Sequence, residues 1–438
     1  MAVMLLFGWM LSADRRLVPW RVVLWGLGLQ LLFAVFILKT PLGVRIFDEL
    51  NDIIVGLLSF TVQGAKFLFG NLVWSNVPVG TGEAGANAPI TPTPGTVAQT
   101  GAFFAFNVLP TIIFFSSLMT VLYYFGVMQA VVKGFAWIML RTMRTSGAET
   151  LSAAGNIFLG QTESPLMIKP FVGQMTMSEL HAIMTGGFAT VAGGVMAAYV
   201  GMLVAFFPDI AGHLMAASVM SAPAGLVFAK LMFPEKEEPV TRGTLKVTVE
   251  SPDANVIDAA ARGAGEGLTL ALNVGAMLLA FIALVALFNA LLGIVGDATQ
   301  FTALLRGWGW LPEGSRLTLE VVFGWVLAPL AWLMGVPWQD APEIGTLLGI
   351  KTVLNEFVSY LQLSSMLQSD AGLSPRSVII ATYALCGFAN FSSIGIQIGG
   401  IGGMAPSRRS DLARIGLRAM IAGTLASFMT ANIAGMIV

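Results

Sequence analysis

The chain has 438 residues, of which 56% are hydrophobic and only 11% are charged, and its mean hydropathy is +0.80. Soluble domains carry about 25% charged residues, so this composition excludes an ordinary soluble enzyme and predicts a membrane protein built of apolar helices. The net charge of −1 gives no field that would attract nucleic acid. Two His residues and a single Cys exclude zinc ribbons, haem attachment, iron–sulfur clusters and an intrachain disulfide.

The first part of the chain, residues 1–131, is predicted to hold scaffold helices and an interfacial helix. A membrane span needs about 20 apolar residues, and the opening apolar piece is shorter than that. An amphipathic segment suits a helix at the membrane surface, and a polar stretch without Lys or Arg predicts an exposed loop. The segments in chain order are a short apolar piece, a span, the amphipathic helix, the exposed loop and a long span, at 2–11, 18–38, 46–72, 75–100 and 101–131.

Two apolar segments, 146–172 and 341–372, are interrupted at their centres by polar residues. The first interruption contains Glu163 and the second contains Glu356. Each half-segment is too short to cross a bilayer, so both segments are predicted to be re-entrant helical hairpins. Such hairpins are tolerated only when they are buried in protein or line a wet cavity. A carboxylate at that depth is costly, which makes both Glu residues functional candidates.

Each hairpin is followed by a broken helix and then by an unbroken helix, so the same order occurs twice. Paired interrupted segments predict an inverted repeat and are the best sequence indication of a transporter's binding site. The first transport-domain repeat covers 132–233 and the second covers 295–438, with interfacial pieces before each hairpin. A cytoplasmic linker and a scaffold helix separate them, at 234–260 and 261–294. The broken and unbroken helices are at 176–207 and 210–233 in the first repeat, and at 375–404 and 409–437 in the second.

The distribution of Lys and Arg predicts the orientation of the chain. Cations cluster before the first full span, after the long span, in the linker and at the start of the last helix, whereas the loop 75–100 has none. Cytoplasmic segments are enriched in Lys and Arg, so the cationic side is assigned to the cytoplasm. The first hairpin then enters from the cytoplasm and the second from outside, as an inverted repeat requires.

Four polar clusters are expected to meet at mid-membrane depth, and they are Gln161-Thr162-Glu163, Thr190-Val191, Asn355-Glu356, and Asn390 with Ser392-Ser393. They supply two carboxylates, three amides and several hydroxyl groups, and Lys351 is the only cation among them. This inventory suits a neutral ligand with many hydroxyl and amide groups. A carboxylate can accept two hydrogen bonds from a vicinal diol, amides can pair with the edge of a base, and Phe388 can cover a ring.

These polar groups have an alternative interpretation, in which they pair with one another and hold helices together. That interpretation suits isolated Ser and Thr residues better than Glu163 and Glu356, because helix association does not require a group this costly to bury. Two carboxylates also occur in glycoside hydrolases. No His supports these two, so the protein is predicted not to be an enzyme.

A cation site is also predicted at the breaks. Carbonyl groups at the first hairpin tip and at the break in the following helix, together with Asn156 and the Thr190 hydroxyl, can form a sodium shell. Glu163 or Glu356 can instead carry a proton, so the residues alone leave Na⁺ and H⁺ open as the coupling ion.

The stretch GNIFLGQTESP at 155–165 and the stretch CGFANFSSIG at 386–395 resemble the bacterial concentrative nucleoside transporters. The likeness extends from about residue 18 to the C-terminus. It implies an all-α polytopic membrane protein with about eight transmembrane helices, two re-entrant helical hairpins in an inverted repeat, and interfacial helices. It also implies a homotrimer, in which the first three spans and the sixth form a scaffold and a mobile transport domain moves like an elevator.

The resemblance assigns roles to individual residues as well. Those that would surround the nucleobase are Gln161, Thr162, Glu163 and Val195. Those that would hold the ribose or line its pocket are Glu356, Asn390, Ser393 and Phe388. The sodium ligands would be the side chains of Asn156 and Thr190 and the carbonyl groups of Leu159 and Val191.

We therefore predict a symporter of the inner membrane that imports nucleosides such as uridine. The coupling ion is expected to be Na⁺, with H⁺ as the alternative, and no other cofactor is expected. Two further alternatives remain. An uncoupled channel would not accumulate its solute, and an intramembrane nucleoside hydrolase would release free base.

Overall fold

The computed structural model describes residues 1–73, 76–81, 91–99, 104–243, 253–308, 311, 314–369 and 372–438. The chain is mostly helical, which confirms the predicted fold class. The helices up to the linker are α1 Ala2–Met10, α2 Trp20–Lys39, α3 Pro41–Phe69, α4 Phe104–Asn107, α5 Leu109–Tyr124, α6 Val127–Met143, α7 Gly147–Gly155, α8 Lys169–Val172, α9 Met177–Ala189, α10 Gly193–Leu203 and α11 Ile210–Met232. The later helices are α12 Val256–Ala298, α13 Phe301–Gly307, α14 Leu319–Leu333, α15 Ala341–Val353, α16 Glu356–Gln368, α17 Pro375–Leu385, α18 Phe391–Met404 and α19 Arg409–Ile437. The remaining elements are strands β1 Asn76–Thr81 and β2 Thr91–Gln99 and the 3₁₀ turns Gly70–Val73, Ser164–Ile168 and Pro406–Arg408.

The prediction of a loop at 75–100 is wrong, because the structure has a two-stranded antiparallel ribbon in this segment. Asn76 pairs with Gln99 and Thr81 with Thr91. Thr and Val favour extended backbone, and a two-stranded ribbon is all edge, so its Pro residues break no internal ladder. The Gly- and Pro-rich composition of this segment therefore indicated a loop, although its residues form paired strands. Residues 75, 82–90 and 100 of the predicted loop lie outside the described residues.

The predicted long span 101–131 ends earlier in the structure, and its residues 101–103 lie outside the described part of the chain. Helix α5 ends at Tyr124, α6 begins at Val127, and the two axes differ by 78°. Gly126 has φ +78°, a left-handed conformation that turns the chain between them. In the described part of the chain, six helices are long and apolar enough to cross a membrane, or seven if α5 and α6 count as one bent span. The predicted total of about eight stays a prediction.

Both predicted hairpin segments fold back on themselves through the same type of bond. The Ser164 hydroxyl donates to the Ser152 carbonyl at 2.6 Å, and the Ser359 hydroxyl donates to the Leu347 carbonyl at 2.8 Å. Each bond spans twelve residues. The second arm of the first segment is a 3₁₀ turn followed by the short α8 rather than one regular helix, because Pro170 lacks the N–H group that a helix begun at Ser164 would need at that position.

The two broken helices cross at their breaks. Helices α9 and α10 are separated at Thr190, and α17 and α18 are separated at 386–390. The Phe388 amide donates to the Thr190 carbonyl at 3.3 Å. Gly387 has φ +132°, and a Cβ atom added to it would lie 2.7 Å from the Phe188 carbonyl oxygen. Only glycine fits at this crossing, which brings the polar residues of both breaks together.

Burial separates an inner group of helices from an outer one. The apolar window of α11 is 94% buried, as is that of the α9–α10 pair, whereas that of α12 is only 11% buried. Helix α12 nevertheless packs along α5. Helices α9, α10 and α11 therefore lie at the centre, and α12 presents a long apolar flank outward.

Candidate functional site

Glu356 is the centre of the candidate site and lies at the first residue of α16. It is 4% exposed. Its Oε1 atom accepts a hydrogen bond from the Tyr199 hydroxyl at 2.8 Å, and its Oε2 atom accepts one from Asn390 Nδ2 at 2.9 Å. Asn355 caps the helix by accepting from the Val358 amide at 2.9 Å, so the carboxylate lies at the positive end of the helix dipole. The carboxylate is therefore buried, and two neutral hydrogen-bond donors fix its orientation.

Asn390 joins the break in the second repeat to this carboxylate. Its Oδ1 atom accepts from the Ser393 amide at 2.9 Å and so starts α18. It also accepts from the Ser392 hydroxyl at 2.7 Å. The same side chain donates to Glu356. Asn390 thus both caps the start of α18 and orients the carboxylate of Glu356.

The first hairpin reaches the same region through Gln161. Its Nε2 atom donates to the Ser393 hydroxyl oxygen at 3.1 Å, and its Oε1 atom accepts from Gln397 Nε2 at 3.0 Å. Gln397 also donates to the Met184 carbonyl at 3.2 Å. Residues of the first hairpin segment and of α18 therefore meet in one hydrogen-bonded group.

Glu163 and Thr162 lie at the edge of a cavity of about 650 Å³. The Glu163 carboxylate accepts from the Gly160 amide at 3.0 Å, which holds the hairpin tip in shape, and the side chain is otherwise exposed to the cavity. The opposite wall comes from α5 and α12 and includes Tyr123, Arg262 and Glu266. A volume in this range accommodates a small organic ligand.

The remaining residues that were predicted to contact substrate lie at or near the breaks and the first hairpin tip. Val195 is buried near the start of α10, and Phe388 is half-buried inside the second break. Thr162 packs against α18 at Gly400. The structure thus joins Glu356 with Asn390, and Gln161 with Ser393, while Thr162 and Glu163 face the cavity.

The predicted sodium ligands lie where α7 and α9 end. Asn156 is the residue after α7 and is 0% exposed, and neither amide atom has a partner among the described residues. Thr190 follows α9, and its hydroxyl donates to the Gly186 carbonyl at 2.9 Å, which leaves its oxygen lone pairs free. An unpaired buried amide costs about 1–3 kcal/mol. Oxygen atoms of amide, hydroxyl and carbonyl groups are suitable ligands for a hard cation, so these residues fit Na⁺.

Three family models match the chain. Na⁺ dependent nucleoside transporter N-terminus covers 1–72, Nucleoside recognition covers 105–206, and Na⁺ dependent nucleoside transporter C-terminus covers 213–435. The chain belongs to the Na⁺ dependent nucleoside transporter family. This confirms the resemblance found in the two sequence stretches.

Relatives that match nearly the whole of this chain are also transporters. An uncharacterized transporter of Haemophilus influenzae is 44% identical over 441 residues, covering 100% of this chain and 96% of that protein. Sodium/nucleoside cotransporter 1 of Mus musculus is 42% identical over 439 residues and covers 97% of this chain. The chain spans 61% of that mammalian protein's length.

Solved structures of the transporter CNTnw share the fold. The inward-facing, substrate-bound structure has 41% sequence identity and a TM-score of 0.85, covering 100% of this chain and 96% of that chain. A CNTnw variant in an outward-facing state has 41% identity and a TM-score of 0.84, covering 100% of this chain and 95% of that chain. The family models and the names of the Haemophilus and mouse relatives confirm that this family member is a transporter and not an enzyme.

Sequence reasoning missed two residues of this nucleoside transporter's site, Tyr199 and Gln397. Both lie in helices that follow a break, and both bond to predicted site residues. Tyr199 comes four residues after Val195, and Gln397 comes four residues after Ser393. Residues four apart share a helix face, so this spacing was the signal that would have found them.

Replacing Tyr199 with Phe is expected to raise the KM for nucleoside uptake about tenfold, because a hydrogen bond to a charged group is worth about 1.5 kcal/mol. The measurement is the concentration dependence of uptake in proteoliposomes. Tyr360→Phe is the matched control. Tyr360 stacks on Tyr199 with ring centroids 4.3 Å apart, but its hydroxyl donates to the Thr382 carbonyl instead of Glu356. An unchanged KM in Tyr199→Phe would show that Asn390 alone orients the carboxylate.

Proposed function

We propose that this protein imports nucleosides across the inner membrane together with Na⁺, and that its site binds base and ribose through different repeats. The observation that carries the proposal is the buried Glu356, whose two oxygen atoms are oriented by Tyr199 and Asn390. A carboxylate held in this way has lone pairs left to accept both hydroxyl groups of a ribose diol. An anionic substrate would be repelled by this carboxylate.

The ribose is assigned to Glu356, Asn390 and Ser393, with Phe388 covering the sugar side of the pocket. The hydrogen bond between Gln161 and Ser393 supports this division, because it puts the first hairpin directly beside the ribose group. The base is assigned to residues of the first repeat that lie at or near the cavity, which are Gln161, Thr162, Glu163 and Val195. Amide and carboxylate groups offer donors and acceptors to a base edge, and Val195 offers an apolar contact.

The coupling ion is assigned to Asn156, Thr190 and the carbonyl groups of Leu159 and Val191. The unpartnered amide of Asn156 supports this assignment, since a bound cation would give its oxygen a partner. The description of the matching family models and the name of the mouse relative both refer to sodium. Proton coupling through Glu163 or Glu356 is the alternative.

Transport is proposed to proceed by an elevator movement of the two repeats, 132–233 and 295–438, against scaffold helices. CNTnw structures in inward-facing, outward-facing and intermediate states support a moving assembly with this fold. The exposed apolar flank of α12 supports a homotrimer whose scaffold helices pack together. Lys169 and Arg262 line the cavity. Because such cations mark the cytoplasmic side, the cavity is assigned to an inward-facing state.

Uptake of radiolabelled uridine into proteoliposomes tests substrate and coupling together. An imposed Na⁺ gradient is expected to drive accumulation above equilibrium, whereas an H⁺ gradient at equal Na⁺ is expected to drive none. Collapsing the Na⁺ gradient with an ionophore is the control. Flux that only equilibrates would indicate a channel, and chromatography that recovers free uracil would indicate a hydrolase. Accumulation driven by H⁺ alone would contradict the sodium assignment.

A further inference from the structure

Lys351 is a buried cation in the last turn of α15, and only 1% of it is exposed. Its ammonium group donates to the Ala384 carbonyl at 2.8 Å. Among the described residues, no ion pair within 4.0 Å includes Lys351. Glu356, at the first residue of α16, follows Lys351 by five residues on the same hairpin. A buried ammonium is costly unless it is compensated, so its place in the site needs a reason.

The carbonyl that binds Lys351 belongs to the C-terminal end of α17, just before the break. The last turn of a helix leaves carbonyl groups unpaired and carries the negative end of the helix dipole, so it attracts cations. The neighbouring Thr382 carbonyl accepts from the Tyr360 hydroxyl at 2.7 Å. Lys351 and Tyr360 both belong to the second hairpin. That hairpin therefore supplies this helix end with donors of its own.

The corresponding helix end in the first repeat, at α9, is arranged differently. Asn156 extends from the end of α7 to the last turn of α9, where a Cβ atom added to Gly186 would lie 3.0 Å from its Nδ2 atom. Asn156 and Lys351 thus make the same connection, from the end of the first hairpin helix to the helix before the break. Asn156 is neutral and lacks partners among the described residues, whereas Lys351 brings a positive charge.

We propose that Lys351 is a built-in cation that occupies, in the second repeat, the position that the coupling Na⁺ occupies in the first. This inference rests on the sodium coupling proposed above. The ammonium group balances the charge of Glu356, so no second ion is needed at that carboxylate. One Na⁺ then moves with each nucleoside, and Lys351 is the residue that sets this ratio.

The charge carried per nucleoside tests this inference on the unaltered protein. Nucleosides such as uridine are neutral, so the reversal potential of uridine flux in proteoliposomes under a Na⁺ gradient gives the number of coupled ions. We expect about one charge per uridine, and about two would overturn the inference while leaving sodium coupling intact. An absence of Na⁺-driven uptake would overturn both the inference and the proposed coupling.

Two variants separate the charge of Lys351 from its packing. Asn is short and neutral and offers an oxygen atom, which with the Ala384 carbonyl makes room for a second Na⁺. We expect Lys351→Asn to transport only at raised Na⁺, with about two charges per uridine instead of about one. Met matches the length of Lys but offers no oxygen atom for a hard cation. We expect Lys351→Met to stay inactive at every Na⁺ concentration.

Size-exclusion chromatography and thermal unfolding in detergent establish that each variant is folded. A folded Lys351→Asn or Lys351→Met protein with the wild-type charge ratio and sodium dependence would overturn the inference, because a lysine that serves packing alone leaves the ion count unchanged. If neither variant folds, a wild-type ratio of about two charges per uridine would still overturn the inference.

Discussion

Glu356→Gln is expected to abolish nucleoside uptake while the protein still folds. Each oxygen atom of Glu356 already accepts a hydrogen bond, one from Tyr199 and one from Asn390. An amide has one accepting oxygen atom and one donating nitrogen atom, so in either orientation its N–H group faces one of these donors. The amide, with only one accepting oxygen atom, also accepts the two hydrogen bonds of a ribose diol poorly. We expect uptake to fall at least about a hundredfold, which corresponds to about 2.7 kcal/mol.

Uridine uptake in proteoliposomes measures this loss, and thermal unfolding confirms the folded state. Glu343→Gln is the matched control, because Glu343 lies in the first turn of α15 on the same hairpin and is exposed. It should transport like the wild type. Wild-type transport by Glu356→Gln would remove Glu356 from the ribose site.

Asn156→Ala is expected to raise the Na⁺ concentration for half-maximal uptake by about tenfold or more, since a lost ligand to a cation is worth at least about 1.4 kcal/mol. Asn156 makes no hydrogen bond that the substitution would break, among the described residues. Stability in sodium-free buffer should therefore change little. The rise in Tm that Na⁺ produces in the wild type, by binding the folded state, should be reduced.

Asn51→Ala is the control for Asn156→Ala, because the Asn51 amide has hydrogen-bond partners. Asn51 is also buried, but its amide group donates to the Pro208 carbonyl and accepts from the Gly212 amide, both at 3.2 Å. This variant should lose stability in sodium-free buffer and keep the wild-type sodium dependence. If Asn156→Ala behaved in the same way, Asn156 would be a structural residue and the proposed shell would be wrong.

Features with a local cause were predictable from the sequence. Runs of polar residues in the middle of apolar segments marked both fold-back points and both breaks, because interrupted apolar segments indicate broken helices. Asn355 and Asn390 cap the helices that restart after an interruption, which is what Asn does at that position. The two carboxylates stood out because burial makes them costly.

Features that depend on distant residues were not predictable. The hydrogen bond from Tyr199 to Glu356 joins residues that are 157 apart along the chain. The four-residue spacing places Tyr199 on the helix face of Val195, but it does not identify Glu356 as its partner. The ribbon of β1 and β2 was not predicted, because clusters of Gly and Pro indicate loops and the sequence does not show which strands pair. The sharp turn at Gly126 depends on one glycine that looks ordinary within a long apolar run. Each miss reflects a tertiary contact or a single backbone angle.

The crossing of the two breaks at Gly387 also has a mechanical consequence. Backbone meets backbone there, so no deformable side chain separates the repeats at this point. Interiors packed this closely transmit strain and do not absorb it. A force on either hairpin is therefore passed to the other, and the two breaks are expected to move together as one rigid unit. Relative sliding is expected along the cavity wall that α5 and α12 provide, where side chains and open space are available.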